Sequence, residues 1–397
     1  MTQLVHEKLH QVEGILKELD IDCWLTFVRE TTDAGDPVLP LILDHPLTWQ
    51  SALILTQSGE RIAIVGKYED EAVRSSGAWS KVLTYVQSIK EPLCNELNRL
   101  QPKEVALNYS LNDVKADGLT FGLFELLKQH LSETPFASRF LSAEKIIGTL
   151  RGRKSPGEIQ RVRRAIATTE EIFLDLTRYA RPGHTEIDIH GHLHDAAARR
   201  HVGLAWEAAL CPSVTTGPGS MAGHGFPSDQ LCVSEGNIFH IDYGVRRDGY
   251  CSDLQRSWYV PRTGETRPPE SVQKGFDTVR RAILAAAEVL QPGVEGWTVD
   301  AAARRVVIEA GYPEYQHATG HQVGRACHDG GGVLGPQWER YGQTPFFPIE
   351  EGNIFTLELG VDLEGRGYLG LEEMVLVTKK GIEWLSSPQE SLPLLPV

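Results

Sequence analysis

The segment EGNIFHIDYGV at 235–245 recurs as EGNIFTLELGV at 351–361, with seven of eleven positions identical. A chain that writes one buried-looking strand twice folds most simply as two related halves around a shared sheet. The repeat is wider than the strand. PGHTEID (182–188) and PGVEGWTVD (292–300) each lead into a helical stretch ahead of one EGNIF copy, so the order Pro-Gly, helix, strand occurs twice. Inside the repeated frame one acidic position is kept, as Asp242 in the first copy and Glu358 in the second.

Each copy runs on into a hairpin. In HIDYGVRRDGYCSDLQRSWYV the turn falls at Arg247-Asp248 or at Asp248-Gly249. The first placement sets Asp242 directly opposite Asp253; the second makes the two acids diagonal neighbours on one face. In TLELGVDLEGRGYLGLEEMVLVT a loop at Glu364-Gly365-Arg366 sets Glu358 opposite Glu372. Like charges directly opposite destabilise a sheet, and burying several together costs far more. Either these acids lie on solvated strand faces, or some are protonated, or a cation resolves the repulsion. Their repetition on both hairpins favours a divalent metal site. HATGHQVGRACHDGG (317–331), between the hairpins, adds His317, His321 and His328 among glycines. Two Asp, two Glu and one His suit a pair of Mn²⁺, Zn²⁺, Co²⁺ or Fe²⁺ ions. Two such ions ~3.5–4 Å apart activate a water and polarise a carbonyl.

With 397 residues the chain is expected to form two domains. Apolar residues at helical spacing from Leu4 to Leu19 are followed by the β-type runs CWLTFV (23–28), SALILT (51–56), RIAIVG (61–66) and EVALNYS (104–110). Residues 1–150 therefore read as an α/β domain. They hold no nucleophile–base pair and no Gly-rich phosphate loop, so this domain shapes or caps a site held elsewhere, or dimerises. RGRKSPGE (151–158) opens the second domain, 151–397, with Ser155 as N-cap, Pro156 at the first helical position and Glu158 in the reciprocal capping place. A long helix to Tyr179 and helices near 185–201, 270–290 and 298–310 follow.

Composition excludes several function classes. The formal charge is −14 with no basic cluster, which argues against nucleic acid and anionic membrane surfaces as partners. The six cysteines form no CxxC pair and read as reduced thiols of a cytoplasmic protein. The N-terminus is a mixed-charge amphipathic helix, unlike a signal peptide, and no apolar run approaches the ~18 residues of a membrane span. His190 and His194 have the i, i+4 spacing of a helical metal pair, but the Glu of HExxH is missing, so with His192 they read as an exposed helix face. Trp338, Tyr341, Phe346 and Phe347 either line the cleft or pack as an aromatic loop on the body.

At Asp242, Asp253 (eleven residues on), His321, Glu358 and Glu372 the sequence resembles the pita-bread metallopeptidases. These comprise methionine aminopeptidase, Xaa-Pro aminopeptidase, prolidase and the metal-free relative creatinase. The resemblance runs from about Leu150 to Lys380, and the N-terminal region looks like the extra domain of the Xaa-Pro and creatinase branch. It implies an α/β (α+β) chain: a creatinase-like N-terminal domain, then a pita-bread domain whose pseudo-twofold halves surround a curved antiparallel sheet. It implies that the five named residues bind two divalent ions, manganese foremost. His224 in GHGFPSD matches a substrate-facing position, and His317 and His328 match the HxxxH…H pattern of the Xaa-Pro branch. The implied reaction is attack of a metal-bridging hydroxide on the scissile carbonyl of a short peptide. Glu358 shuttles the proton, His317 and His328 steady substrate and oxyanion, and His224 contacts the leaving amide. A homodimer is implied as well.

Two positions depart from the family pattern. Gly370 stands where the Xaa-Pro branch carries an Arg, two residues before the last Glu ligand, and Leu359 replaces a Pro. Both bear on proline specificity, not on metal binding, and Arg366 is the candidate for a substitute charge. The leading function is a dinuclear metallo-exopeptidase cleaving short peptides, an Xaa-Pro aminopeptidase or dipeptidase. The alternatives are a metal-dependent hydrolase or lyase of a small non-peptide compound, and a non-catalytic binding module.

Overall fold

The N-terminal helix Thr2–Glu18 spaces Val5, Leu9, Val12, Ile15 and Leu16 along one stripe, and all five are buried. It covers a six-stranded mixed sheet with the order 81–85, 61–66, 51–56, 23–28, 105–107, 140–142. The two antiparallel pairings lie at the centre and the parallel ones outside. Strands Cys23–Val28 and Ser51–Thr56 are buried on both faces, which is why they read as largely apolar runs without alternation. The 104–110 run shortens to Val105–Leu107, because Asn108 turns inward to accept Trp24 Nε1 at 2.6 Å and to donate to Asp36 Oδ2 at 2.7 Å.

This computed structural model describes residues 2–220, Gly223 and 225–396. The chain divides into two compact units, Met1–Ser155 and Pro156–Val397. The second is built on a curled antiparallel sheet with the strand order Ile354–Leu363, Gly367–Thr378, Leu254–Tyr259, Ile238–Tyr243, Ser213–Thr215. Helices Pro156–Tyr179 and Glu186–Arg199 precede the first hairpin; Glu270–Val289 and Gly296–Glu309 precede the second. Val272, Phe276, Val279 and Ile283 share a core with Leu357, Leu359 and Val361 of the sheet. Glu158 is buried and accepts the Tyr250 hydroxyl at 3.0 Å.

The sequence repeat is also a repeat of joints. Gly183 N–H donates to Val233 O at 2.9 Å, and Gly293 N–H donates to Ile349 O at 2.8 Å. Both glycines have left-handed φ, +93° and +88°, which a side chain would oppose. Val233 and Ile349 each lie two residues ahead of their EGNIF copy. Each Pro-Gly turn is therefore tied to the entry of its own strand.

Candidate metal centre

The second hairpin has the register its loop predicts. Ten consecutive pairs run from Ile354–Leu376 to Leu363–Gly367, with Glu358 opposite Glu372. The first hairpin takes the later of the two turns. Asp248 and Gly249 have φ of +53° and +79°, as a two-residue type I′ turn requires, and Arg247 pairs with Tyr250. Asp242 consequently faces Gln255, and Asp253 is its diagonal neighbour. The directly facing Asp pair does not form; the diagonal arrangement does.

Combining the registers yields one row across the sheet: Glu358, Glu372, Gln255, Asp242, Ser213. Matched positions share a face, so three carboxylates and one amide project together. Two residues along, the next row holds the Gly360–Gly370 pair, Ser257, His240 and Thr215. Asp253 lies on the other side of the acid row, where its N–H donates to Met374 Sδ at 3.3 Å.

His321 comes from the loop between hairpins and is pinned to the sheet through Thr356. His321 N–H donates to Thr356 Oγ1 at 3.1 Å, and Thr356 N–H donates to His321 O at 2.9 Å. The approach needs Gly320, where a Cβ would lie 2.0 Å from Thr356 O. His321 Nε2 then sits 3.5 Å from Asp253 Oδ2 and 3.3 Å from Glu358 Oε1. Gln255 Nε2 donates to Glu358 Oε2 at 3.0 Å, and Cys327 Sγ donates to Asp253 Oδ2 at 2.8 Å. Single ligand atoms of Asp253, His321 and Glu372 all fall within 4.8 Å of one another.

Among the described residues, Asp242 Oδ1, Asp253 Oδ1 and both oxygens of Glu372 are buried with no protein hydrogen-bond partner. Native proteins rarely leave such atoms orphaned. Burial, then the charges of Asp253 and Glu358, push the Asp242 carboxyl well above its ordinary pKa. Burial, then Asp253, Glu358 and Asp242, do the same to Glu372. Glu358 goes the other way: burial would raise it, but the bond and charge of His321, helped by His317 and His328, hold it at about 2. Burial would lower His321, and its bonds to Asp253 and Glu358 outweigh that, lifting it to about 10. One imidazolium thus stands among four carboxyls. Orphaned carboxylate oxygens plus one imidazole are the donor set of borderline divalent cations, so the residues fit such ions.

The remaining candidates divide. The His328 ring meets His321 edge-on, with centroids 4.3 Å apart and planes at 83°. His317 Nδ1 lies 2.8 Å from Ala318 O, and its own carbonyl accepts Arg304 Nη2 at 2.8 Å. His224 lies outside the described residues. Arg366 donates to Gly236 O at 2.7 Å, so the expected substitute charge is tied to the first repeat's turn. His190, His192 and His194 are not the exposed face expected. All three are half-buried: His190 and His194 bond Ala208 O at 3.2 Å and Cys211 O at 2.7 Å, and His192 stacks on Tyr179 at 3.9 Å. Trp338 stacks with Tyr341 at 6.1 Å, with Arg340 over both rings, beside an open cavity of about 560 Å³ lined by Gln316, Trp338, Glu339 and Arg340. Sequence reasoning missed Gln255 and Cys327. Only the later turn puts Gln255 in the acid row, and Cys327 sits in the histidine loop without a motif of its own.

No described helix is long and apolar enough to cross a membrane. Residues 160–379 match metallopeptidase family M24. The chain is 27% identical over 382 residues to an uncharacterized peptidase of Staphylococcus saprophyticus, covering 96% of this chain and 99% of that one. It is 30% identical over 259 residues to a probable dipeptidase PepE of Mycobacterium tuberculosis, 64% of each chain. Among solved structures, an Xaa-Pro dipeptidase from Bacillus anthracis superposes with a TM-score of 0.74 at 21% identity, covering 98% of this chain and 100% of that chain. Dipeptidase PepE from Mycobacterium ulcerans also superposes at 0.74, with 22% identity, over 100% and 99%.

Proposed function

Since the chain belongs to metallopeptidase family M24, which makes it a peptide-bond hydrolase and implies divalent metal ions, we propose that it is an exopeptidase of short peptides. In this reading Asp242, Asp253, His321, Glu358 and Glu372 hold two divalent ions, manganese foremost. The observation that carries it is the set of buried, orphaned carboxylate oxygens gathered around His321. Bound ions of this kind supply Lewis acidity and lower the pKa of water. The chain's own residues do the rest. Glu358 turns Oε1 towards His321 and has Oε2 held by Gln255, an oriented carboxylate suited to moving a proton. His317 and His328, the latter edge-on to His321, are assigned to substrate and the developing oxyanion in this reading. His224 is assigned the leaving-amide side by resemblance alone. A cytoplasmic homodimer completes the proposal.

Dipeptides are the favoured substrates, because the names of similar proteins specify dipeptidases and an Xaa-Pro dipeptidase. Gly370 withholds the arginine of the Xaa-Pro branch, so proline is not expected to be required. The same glycine favours a second reading, a metal-dependent hydrolase or lyase of a small non-peptide compound. Purified protein loaded with Mn²⁺ and offered dipeptides with and without proline separates the two. Hydrolysis that a chelator abolishes and Mn²⁺ restores is expected. A folded, metal-loaded sample inactive across that panel sinks the peptidase reading.

A further inference from the structure

The acid row contains one residue that is not acidic, and its surroundings are specific. Gln255 is 6% exposed, His240 1% and Thr215 1%, so solvent does not compete for their bonds. Gln255 Nε2 donates to Glu358 Oε2 at 3.0 Å. Gln255 Oε1 lies 3.0 Å from His240 Nε2. An amide oxygen only accepts, so His240 donates from Nε2, and His240 Nδ1 accepts the Thr215 hydroxyl at 3.3 Å. The direction of each bond is thereby determined, from Thr215 through His240 and Gln255 to Glu358. An amide flipped end for end would set its NH₂ against the N–H of His240 and its oxygen against a carboxylate.

Gly370 makes room for this chain of bonds. A Cβ there would lie 2.5 Å from Tyr368 Cε1, 2.7 Å from Gln255 Oε1 and 2.9 Å from His240 Nε2. Tyr368 lies over the Gly360–Gly370 pair with its ring edge-on to His240, centroids 5.0 Å apart and planes at 82°. The place next to the acid row is thus closed by a phenol ring, an amide and a neutral imidazole.

We propose that Gln255 is the positioning residue of Glu358. It fixes which carboxylate oxygen is turned to the metal ions, and His240, Thr215 and the bare Cα of Gly370 lock its amide. The inference rests on the reading of Glu358 as a metal ligand. Partners that orient metal ligands are worth about 10–100-fold in affinity when removed.

The test uses Co²⁺ as a probe of the whole protein, by calorimetric titration and by the visible absorption of the bound ion. Gln255→Met keeps the length and removes the donor. It is expected to weaken Co²⁺ binding by about tenfold or more and to change the spectrum, while kcat falls and KM holds. Gly370→Ala reaches the same contact from the opposite side and decides the matter should Gln255→Met fail to fold. It is expected to reproduce the loss, and in a Gln255→Ala background to add little. Parent-like affinity and spectrum in Gln255→Met overturn the proposal. So does a Gly370→Ala effect that persists at full size in the Gln255→Ala background. Neither titration needs a peptide, so failure of the exopeptidase reading leaves this result distinct.

Discussion

The two hairpins start from one sequence and end in different registers. The second keeps an uninterrupted ladder of ten pairs and sets Glu358 straight across from Glu372. The first is interrupted at Gly244 and Ser252, where Val245 N–H bonds the Ser252 hydroxyl at 3.0 Å in place of its carbonyl. Its two-residue turn places Gln255, not Asp253, opposite Asp242. Across the two hairpins the acids fall into two electrostatic kinds. Within the row Asp242 and Glu372 keep orphaned oxygens and raised pKa, whereas Glu358 is held low by His321 and tied by Gln255. Repeating a strand need not repeat a role.

The largest expected effect tests that division directly. Glu358→Ala should reduce kcat/KM by about 10³-fold or more, since it removes both a ligand and the proton carrier. Steady-state kinetics on the responsive dipeptide checks this, and near-normal turnover would remove the assignment. Stability of the metal-free protein should split the two kinds. A carboxylate whose pKa is depressed on folding stabilises the fold above its unfolded value, so Glu358→Gln should lower the apo melting temperature at pH 7. A carboxyl whose pKa is raised costs stability once pH exceeds its unfolded value, so Asp242→Asn should leave the apo melting temperature equal or higher. Both variants should lose metal affinity. Equal shifts of the same sign would erase the distinction drawn between the two kinds of acid.

The pH dependence of the chelated protein is the next effect in size. His321, lifted to about 10, contributes stability that is complete below its unfolded pKa of about 6.5 and is lost as pH climbs towards 10. Asp242 and Glu372, both raised, also bind more protons folded than unfolded, so their contributions fall with rising pH as well. Glu358 acts only in acid, between about 4.5 and 2. Melting of the metal-free protein should therefore drop between pH 6.5 and 10. Metal binding needs these groups deprotonated, so the stabilisation by added Mn²⁺ should grow over the same range. A chelated sample whose melting is flat across that window would contradict the electrostatic picture.

How much of this was legible in the sequence follows from how local each signal was. The Glu358–Glu372 pairing could be read because a Glu-Gly-Arg loop between two continuous strands admits one register. The Asp242–Asp253 relation stayed open because Arg247-Asp248 and Asp248-Gly249 are both acceptable turns; the positive φ of Asp248 and Gly249 chooses between them. Gln255 could not be recognised without that choice. His321 reaches the acids through a backbone contact with Thr356, 35 residues away, which periodicity does not encode, so resemblance had to supply it. The i, i+4 histidines of 190–194 misled because a helix pattern does not reveal what packs over it: here the carbonyls of Ala208 and Cys211.

The smallest effect concerns the turns that set the registers. At Gly249 a Cβ would have nothing nearer than Arg325 at 3.9 Å, and only the φ of +79° opposes it. Gly249→Ala should then cost about 1 kcal/mol, a melting shift of roughly 2–4 °C. At Gly367 the φ is +102°, and a Cβ would also lie 2.7 Å from Gly217 Cα, so Gly367→Ala should cost more. Thermal melts of both variants test the order. Co²⁺ titration then shows what holds the first register. If Gly249→Ala shifts melting but leaves affinity unchanged, the six strand pairs from Leu254–Tyr243 to Tyr259–Ile238 hold Gln255 opposite Asp242 without help from the turn. If affinity falls with it, the turn itself keeps the amide in the acid row.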